Sequence, residues 1–275
     1  MASGSASEQA GREARDAAGG GEAVPGGLAV PGRMVGRRAL VTGGASGIGL
    51  ATVRRLLAES ADVVAIDQRA PGPGERACPY LTADVTVAGD VPDAVHAAAA
   101  LLGGPADVLV NAAGIYRIRP LLDLTPDEWD ETLAVNLRGA FLTGQAVAGG
   151  LVEAGRPGAI VNIGSTAALV ADASEPTAHY NASKAGVVAL TRQMAAEWAP
   201  YGIRANVVCP GVIDTPMLRL MDDPAAGQAY LETGVPLRRV GSAAEVAAVI
   251  VFLGSADASY LTGAVIPVDG GSTAI

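Results

Sequence analysis

The chain has 275 residues, 50% of them apolar and 17% charged, with a formal net charge of -9. This composition suits a layered, close-packed domain and excludes a fibrous or wholly disordered chain. The negative balance argues against nucleic acid or an anionic membrane surface as partner, because both require clustered Lys and Arg. No apolar run reaches the roughly 20 residues of a membrane-spanning helix. Two cysteines, Cys78 and Cys209, lack neighbours at ligand spacing, so no disulfide framework or metal site is expected and a reducing cytoplasm fits best.

Residues 1–33 are dominated by Ala, Gly and Ser without a hydrophobic period. Such a stretch buries too little surface to offset the entropy of ordering, and it lacks the pattern of a targeting peptide, so a disordered extension is expected. A single domain over residues 34–275 is expected to follow. From residue 37 the chain alternates β-branched runs with Ala/Leu-rich segments: RALVT, a helix at 47–59, DVVAID, a helix at 90–102, DVLVNA and a helix at 126–153. AIVNI, a helix opening HYNASKAGVVALTRQ, IRANVV, a helix near 242–254 and AVIPV complete the series. Strands apolar on both faces and separated by helices predict an α/β domain, a doubly wound parallel sheet with helices on both faces.

The first strand runs into TGGASGIG, so Thr42, Gly43, Ser46, Gly47, Ile48 and Gly49 form a turn ahead of the first helix. Glycines there let the chain turn sharply and let backbone N–H groups approach a pyrophosphate at the positive helix end. Asp67 ends the second strand 18 residues beyond Gly49. A carboxylate at that place accepts hydrogen bonds from the ribose hydroxyls of a dinucleotide and repels a 2′-phosphate, which favours NAD(H) over NADP(H). Arg69, two residues on, is the group that would meet a phosphate instead.

Tyr180 and Lys184 stand four residues apart and share one helix face. A free phenol has a pKa of about 10, and an adjacent ammonium group is expected to lower it toward working pH. The pair follows AIVNIGS, ending at Ser165, and precedes IRANVVCPGVIDTP, with NAAG at 111–114 and Asn136 upstream. In that order these motifs resemble the short-chain dehydrogenase/reductase family, over residues 36 to 273 and most closely its one-domain subgroup.

The resemblance implies a Rossmann-like fold and an NAD(H)-dependent oxidoreductase that interconverts a secondary alcohol and a ketone. It implies that Asn136, Ser165, Tyr180 and Lys184 are catalytic. Tyr180 would exchange the proton, Ser165 would hold the developing oxyanion, Lys184 would bind the nicotinamide ribose and tune Tyr180, and Asn136 would hold a water leading to Lys184. It places Asp84 and Val85 at the adenine and Asn111, Ala112, Ala113 and Gly114 beside the cofactor. Pro210, Gly211, Val212, Ile213 and Thr215 would close over the nicotinamide, with Ile213 and Thr215 near its carboxamide.

Fifteen residues separate Ser165 from Tyr180, slightly more than the family pattern, and the added loop carries Asp172, Glu175 and His179 as candidate substrate contacts. Ser174 is the rival to Ser165, but it lies too near Tyr180 to reach the strand end. Met217, Leu218, Leu220 and Met221 suggest an apolar wall over the substrate. The helix bearing Tyr180 has a small-residue face at Ala182, Ala185, Gly186 and Ala189, and the resemblance implies pairing across it in a homotetramer or homodimer. The sequon Asn181-Ala182-Ser183 reads as coincidence inside a helix. An NADP(H)-dependent ketoreductase is one alternative; a non-catalytic NAD-binding sensor or scaffold is another.

Overall fold

The computed structural model describes residues 32–171 and 175–275. Residues 1–31, nearly all of the expected extension, lie outside the described residues, as do Asp172 and Ser174 and the side chain of Met221. In chain order the sheet strands are β1 (Arg38–Thr42), β2 (Asp62–Asp67), β3 (Tyr80–Thr82), β4 (Val108–Asn111), β5 (Gly158–Ile163), β6 (Ile203–Pro210) and β9 (Val265–Val268). They pair in parallel in the order β3-β2-β1-β4-β5-β6-β9. The order reverses beside β1, which is paired with β2 and β4, and this opens a crevice at the carboxyl ends of β1 and β4.

Alternation along each strand builds two cores. Ala39 and Val41 point to a core with Val53, Leu56, Val246 and Ile250, under α1 (Gly47–Ala58) and α7 (Ala243–Gly254). Leu40 points the other way, to a core with Leu109, Val147, Leu151, Ile160 and Met194. That face is covered by α2 (Asp90–Leu102), α4 (Gly139–Glu153) and α5 (Ala178–Trp198). Strands buried on both sides account for the unbroken apolar runs in the sequence.

The predicted helix at 126–153 is interrupted. Thr125 and Glu128 form a capping box with Pro126 at the first position, starting α3 (Pro126–Leu133), and a π-helical turn at Ala134–Arg138 then leads into α4. A π turn inserts a residue and slips the hydrogen-bond ladder, turning inward a side chain that regular spacing would aim elsewhere. The buried side chain within this turn is Asn136.

Two short strand features and a helix, four elements together, went unpredicted. β3 at the sheet edge has only three residues. A separate parallel pair joins β7 (Ile213–Asp214) to β8 (Gly241–Ser242). α6 (Pro224–Gly234) is capped by Asp223, whose Oδ1 accepts from the N–H groups of Ala225 and Ala226 at 3.1 and 3.2 Å.

Candidate functional site

The turn after β1 is tight enough to require glycine twice. A Cβ on Gly43, where φ is +67°, would lie 2.6 Å from the Ala113 nitrogen, and one on Gly49 would lie 2.0 Å from the Gly43 oxygen. Thr42 locks the turn to the NAAG segment: its carbonyl accepts from Ala112 N–H at 3.2 Å and its hydroxyl oxygen from Ala113 N–H at 3.3 Å. Ser46 caps α1 in extended conformation without a side-chain bond to the first turn, which also lacks an acidic residue. The first-turn N–H groups therefore face out of the helix beside a backbone that glycine keeps bare, a donor set suited to phosphate. Ile48 packs against the core below, and Thr215 lies over the turn, its Cβ 3.5 Å from where a Gly47 side chain would begin.

Asp67 reaches the same turn. Its two carboxylate oxygens accept from Ala45 N–H at 3.1 Å and Arg69 N–H at 3.2 Å. A carboxylate offers about four lone-pair sites, so capacity remains for ribose hydroxyls. Asp84 accepts from Thr86 N–H at 2.8 Å. Burial pushes its carboxyl up, but hydrogen bonds from Thr86 and Gln68 and the Arg138 charge outweigh this and hold it below the usual range. Val85 is buried against Gly139, where a Cβ would meet it at 2.8 Å.

Asn111 ends β4 inside a polar network. Its amide donates to Asn162 Oδ1 at 2.9 Å and accepts from the Thr143 hydroxyl at 2.6 Å, while Asn162 donates to the Thr191 hydroxyl at 2.8 Å. This joins β4, β5, α4 and α5 behind the crevice. Asn162, Thr143 and Thr191 were missed at the sequence level because their types carry no chemistry without the pairing.

On the other side of the crevice Gly114 is the meeting point: a Cβ there would stand 3.3 Å from Asn136 Oδ1 and 3.6 Å from Lys184 Nζ. Asn136 Oδ1 accepts from Ile115 N–H at 2.8 Å; its Nδ2 donates to the Ile115 carbonyl and to Ser183 Oγ, each at 3.0 Å. Ser183 in turn donates to the Tyr180 carbonyl at 2.7 Å. Ser165, just past β5, accepts from Ala167 N–H at 3.1 Å and is hydrogen-bonded to the Tyr180 phenol. Lys184 donates to the Ile163 carbonyl at 2.8 Å, with Nζ 5.7 Å from the Tyr180 ring centre. Asn136, Ser165, Tyr180 and Lys184 are thus brought together.

Their electrostatics differ from the expectation of a phenol acidified by its lysine. Burial pushes the Tyr180 phenol up to about 12; the Ser165 hydrogen bond pulls down, while Glu175 and Cys209 push further up. Burial brings the Lys184 ammonium down to about 8, opposed by Cys209. Both neutral forms are favoured because each group loses water on entering the crevice, and that loss exceeds what either gains from the other.

The remaining candidates divide. Pro210 ends β6, and Gly211 lets the chain pass β9, since a Cβ there would lie 2.9 Å from Asp269 Cα. Ile213 is buried and Thr215 donates weakly to its carbonyl at 3.4 Å. Glu175 is exposed beside the crevice, whereas His179 is fully buried against α3 and lines no open surface. Met217 is exposed and Leu220 lies in a 3-10 turn. Gly186, from the small-residue face of α5, packs within its own chain: a Cβ there would meet Leu137 at 2.7 Å.

A doubly wound sheet with a glycine turn at its crevice and a Ser, Tyr and Lys cluster opposite defines a dinucleotide-type oxidoreductase. The family model described as enoyl-(acyl carrier protein) reductase matches residues 43–273. Galactitol 2-dehydrogenase (L-tagatose-forming) of Cereibacter sphaeroides is 39% identical over 248 residues, covering 88% of this chain and 96% of that protein. D-threitol dehydrogenase of Mycolicibacterium smegmatis is 40% identical over 250 residues, covering 88% and 94%. The crystal structure of a gluconate 5-dehydrogenase from Burkholderia cenocepacia, in complex with NADP and tartrate, superposes with a TM-score of 0.82 at 35% identity, covering 90% of this chain and 100% of that one. The chain belongs to the short-chain dehydrogenase/reductase family, and it is an oxidoreductase of alcohols and ketones.

Proposed function

We propose that the protein interconverts a secondary alcohol and its ketone with NAD(H), with Tyr180 as acid/base. The observation that carries this is the convergence of Ser165, Tyr180 and Lys184 at the edge of the crevice, Ser165 hydrogen-bonded to the phenol and Lys184 beside its ring. The nicotinamide, when bound, supplies the hydride acceptor or donor. The glycine turn and the open first turn of α1 would hold its phosphates, Asp67 a ribose, and Asp84, Val85, Ala112, Gly114, Ile213 and Thr215 the remainder.

In oxidation the Tyr180 oxygen takes the substrate hydroxyl proton, and in reduction it returns one. Ser165 donates a hydrogen bond to the same substrate oxygen as negative charge develops there. Lys184 stabilises the phenolate once formed. Asn136 anchors Ile115 and Ser183, keeping the loop and α5 in register. The exposed faces of α4 and α5, including Phe141, Val152 and Ala185, are where a homotetramer or homodimer would pair. The relatives' names direct the first substrate screen to polyols, read by NADH absorbance.

Tyr180→Phe tests the chemistry: turnover should fall by about 10²–10⁴ while NAD(H) affinity stays within twofold. Undiminished turnover would refute the assignment. A second reading, preference for NADP(H), draws on Arg69 and on the NADP bound to a solved relative. It is decided by comparing kcat/KM for the two cofactors in wild type and Asp67→Ser; NAD preference predicts a ratio that narrows in the variant.

A further inference from the structure

We propose that Tyr116 is a positioning residue, whose ring fixes the orientation of the Tyr180 phenol and screens it from water. This rests on the function proposed above and extends it to a residue outside every motif that carried that reading.

The two rings meet edge to face, centroids 5.0 Å apart and planes at 89°. That is a favoured aromatic geometry, in which the electron-poor edge of one ring meets the electron-rich face of the other. A helix fixes the backbone of a tyrosine but leaves its ring to be set by contacts. For Tyr180, among the described residues, those contacts include Ser165 at the oxygen, Lys184 at 5.7 Å and Tyr116.

Tyr116 is itself held on both sides. Before it, Ile115 is gripped by Asn136 through N–H and carbonyl alike. Beyond it, Arg119 N–H donates to the Pro176 carbonyl at 2.9 Å, tying this loop to the stretch that opens α5. The contacts form a closed circuit: Tyr180 carbonyl to Ser183, Ser183 to Asn136, Asn136 to Ile115, and the next ring back onto Tyr180. A circuit of this kind resists rotation of the phenol, because each member would have to move together.

Titratable groups facing Tyr180 are Glu175, Lys184 and the Cys209 thiol, which burial pushes up and keeps neutral; Arg117 and Arg119, on the loop of Tyr116, are paired with Glu131 and Glu128. Removing the Tyr116 ring should therefore change mainly the water around the phenol, and water favours the phenolate.

The experiment uses full-length protein carrying tyrosine labelled with 13C at Cζ, with Tyr180 identified by the resonance that Tyr180→Phe removes. Wild type and Tyr116→Phe should show a flat Tyr180 shift from about pH 7 to about pH 10.5, and Tyr116→Leu should begin to titrate within that window. With an alcohol selected by the NADH screen, kcat should fall about tenfold or more in Tyr116→Leu and stay within twofold in Tyr116→Phe. A flat resonance in Tyr116→Leu overturns the proposal, as does a loss in Tyr116→Phe equal to that in Tyr116→Leu. Tyr116→Ala, run in parallel, serves if the leucine variant does not fold. Should Tyr180→Phe prove fully active, the proposed chemistry fails, yet the resonance titration still decides whether Tyr116 screens the phenol.

Discussion

The two ends of the sheet bury charge in opposite ways. At the amino edge Asp107, 1% exposed, accepts from Arg38 N–H at 3.1 Å and Nε at 3.3 Å, and from Arg156 Nε and Nη2 at 3.2 and 2.7 Å. Burial pushes its carboxyl up, but the Arg156 and Arg38 bonds outweigh that and hold it below the usual range. At the carboxyl edge Lys184, 5% exposed, has one hydrogen-bond partner among the described residues, the Ile163 carbonyl, and burial brings it down to about 8. A compensated buried charge serves stability; an under-compensated one keeps a proton affinity near working pH, where proton transfer is most useful. The same fold thus separates a structural end from the end proposed above for chemistry.

Lys184→Met should break this contrast most visibly. Turnover should fall by about 10²–10⁴ in the NADH assay, while thermal unfolding stays level or rises because an under-compensated ammonium is replaced by an apolar chain. A clear fall in stability would show that Lys184 is as well compensated as Asp107. Asp107→Asn should do the reverse. Activity should stay within about twofold, while chemical denaturation shows a loss of about 2–3 kcal/mol. That lies at the low end for a buried pair because the Arg156 side chain is 44% exposed and water screens it. The Asp107 carboxyl titrates lower in the folded chain than its unfolded value of about 4, so its contribution is complete above that pH and is lost as pH falls through the folded value. Wild type and Asp107→Asn should therefore converge in acid.

The carboxyl end was the more legible of the two. Gly43, Gly49, Ser165, Tyr180 and Lys184 stood out because the phosphate binding and proton transfer proposed for them would demand those types at those spacings. The strands were legible because burial on both faces leaves unbroken β-branched runs. The π turn at Ala134–Arg138 was not, since a one-residue slip in a helix leaves no mark on apolar spacing. Nor was β7–β8, where two-residue strands carry no period. Arg38, Asp107 and Arg156 lie far apart in sequence, so their union is visible only in three dimensions. The shift of Tyr180 was misjudged for a related reason: spacing reports its proximity to Lys184, whereas desolvation depends on everything else packed around it.

His179 stands between the two extremes and gives the smallest effect. One residue before Tyr180 on α5, it is rotated by about 100° from the crevice, and it is fully buried; neither ring nitrogen finds a hydrogen-bond partner among the described residues. Burial lowers its pKa, with Glu128 opposing and Arg117 and Arg119 reinforcing that direction. Below about pH 6.5 the unfolded chain takes up a proton that the folded chain resists, so stability declines from that pH down to the lower folded value and then levels off. His179→Phe removes this decline. At pH 8, unfolding free energy should stay within about 1 kcal/mol of wild type, because the strain of a somewhat larger ring is offset by burying an apolar group in place of an imidazole that makes no hydrogen bond to the described residues. At pH 5 the variant should be the more stable protein. A loss of several kcal/mol at pH 8 would instead mean that the imidazole is compensated in the manner of Asp107, and that the chemical end of the sheet extends no farther along α5 than Tyr180.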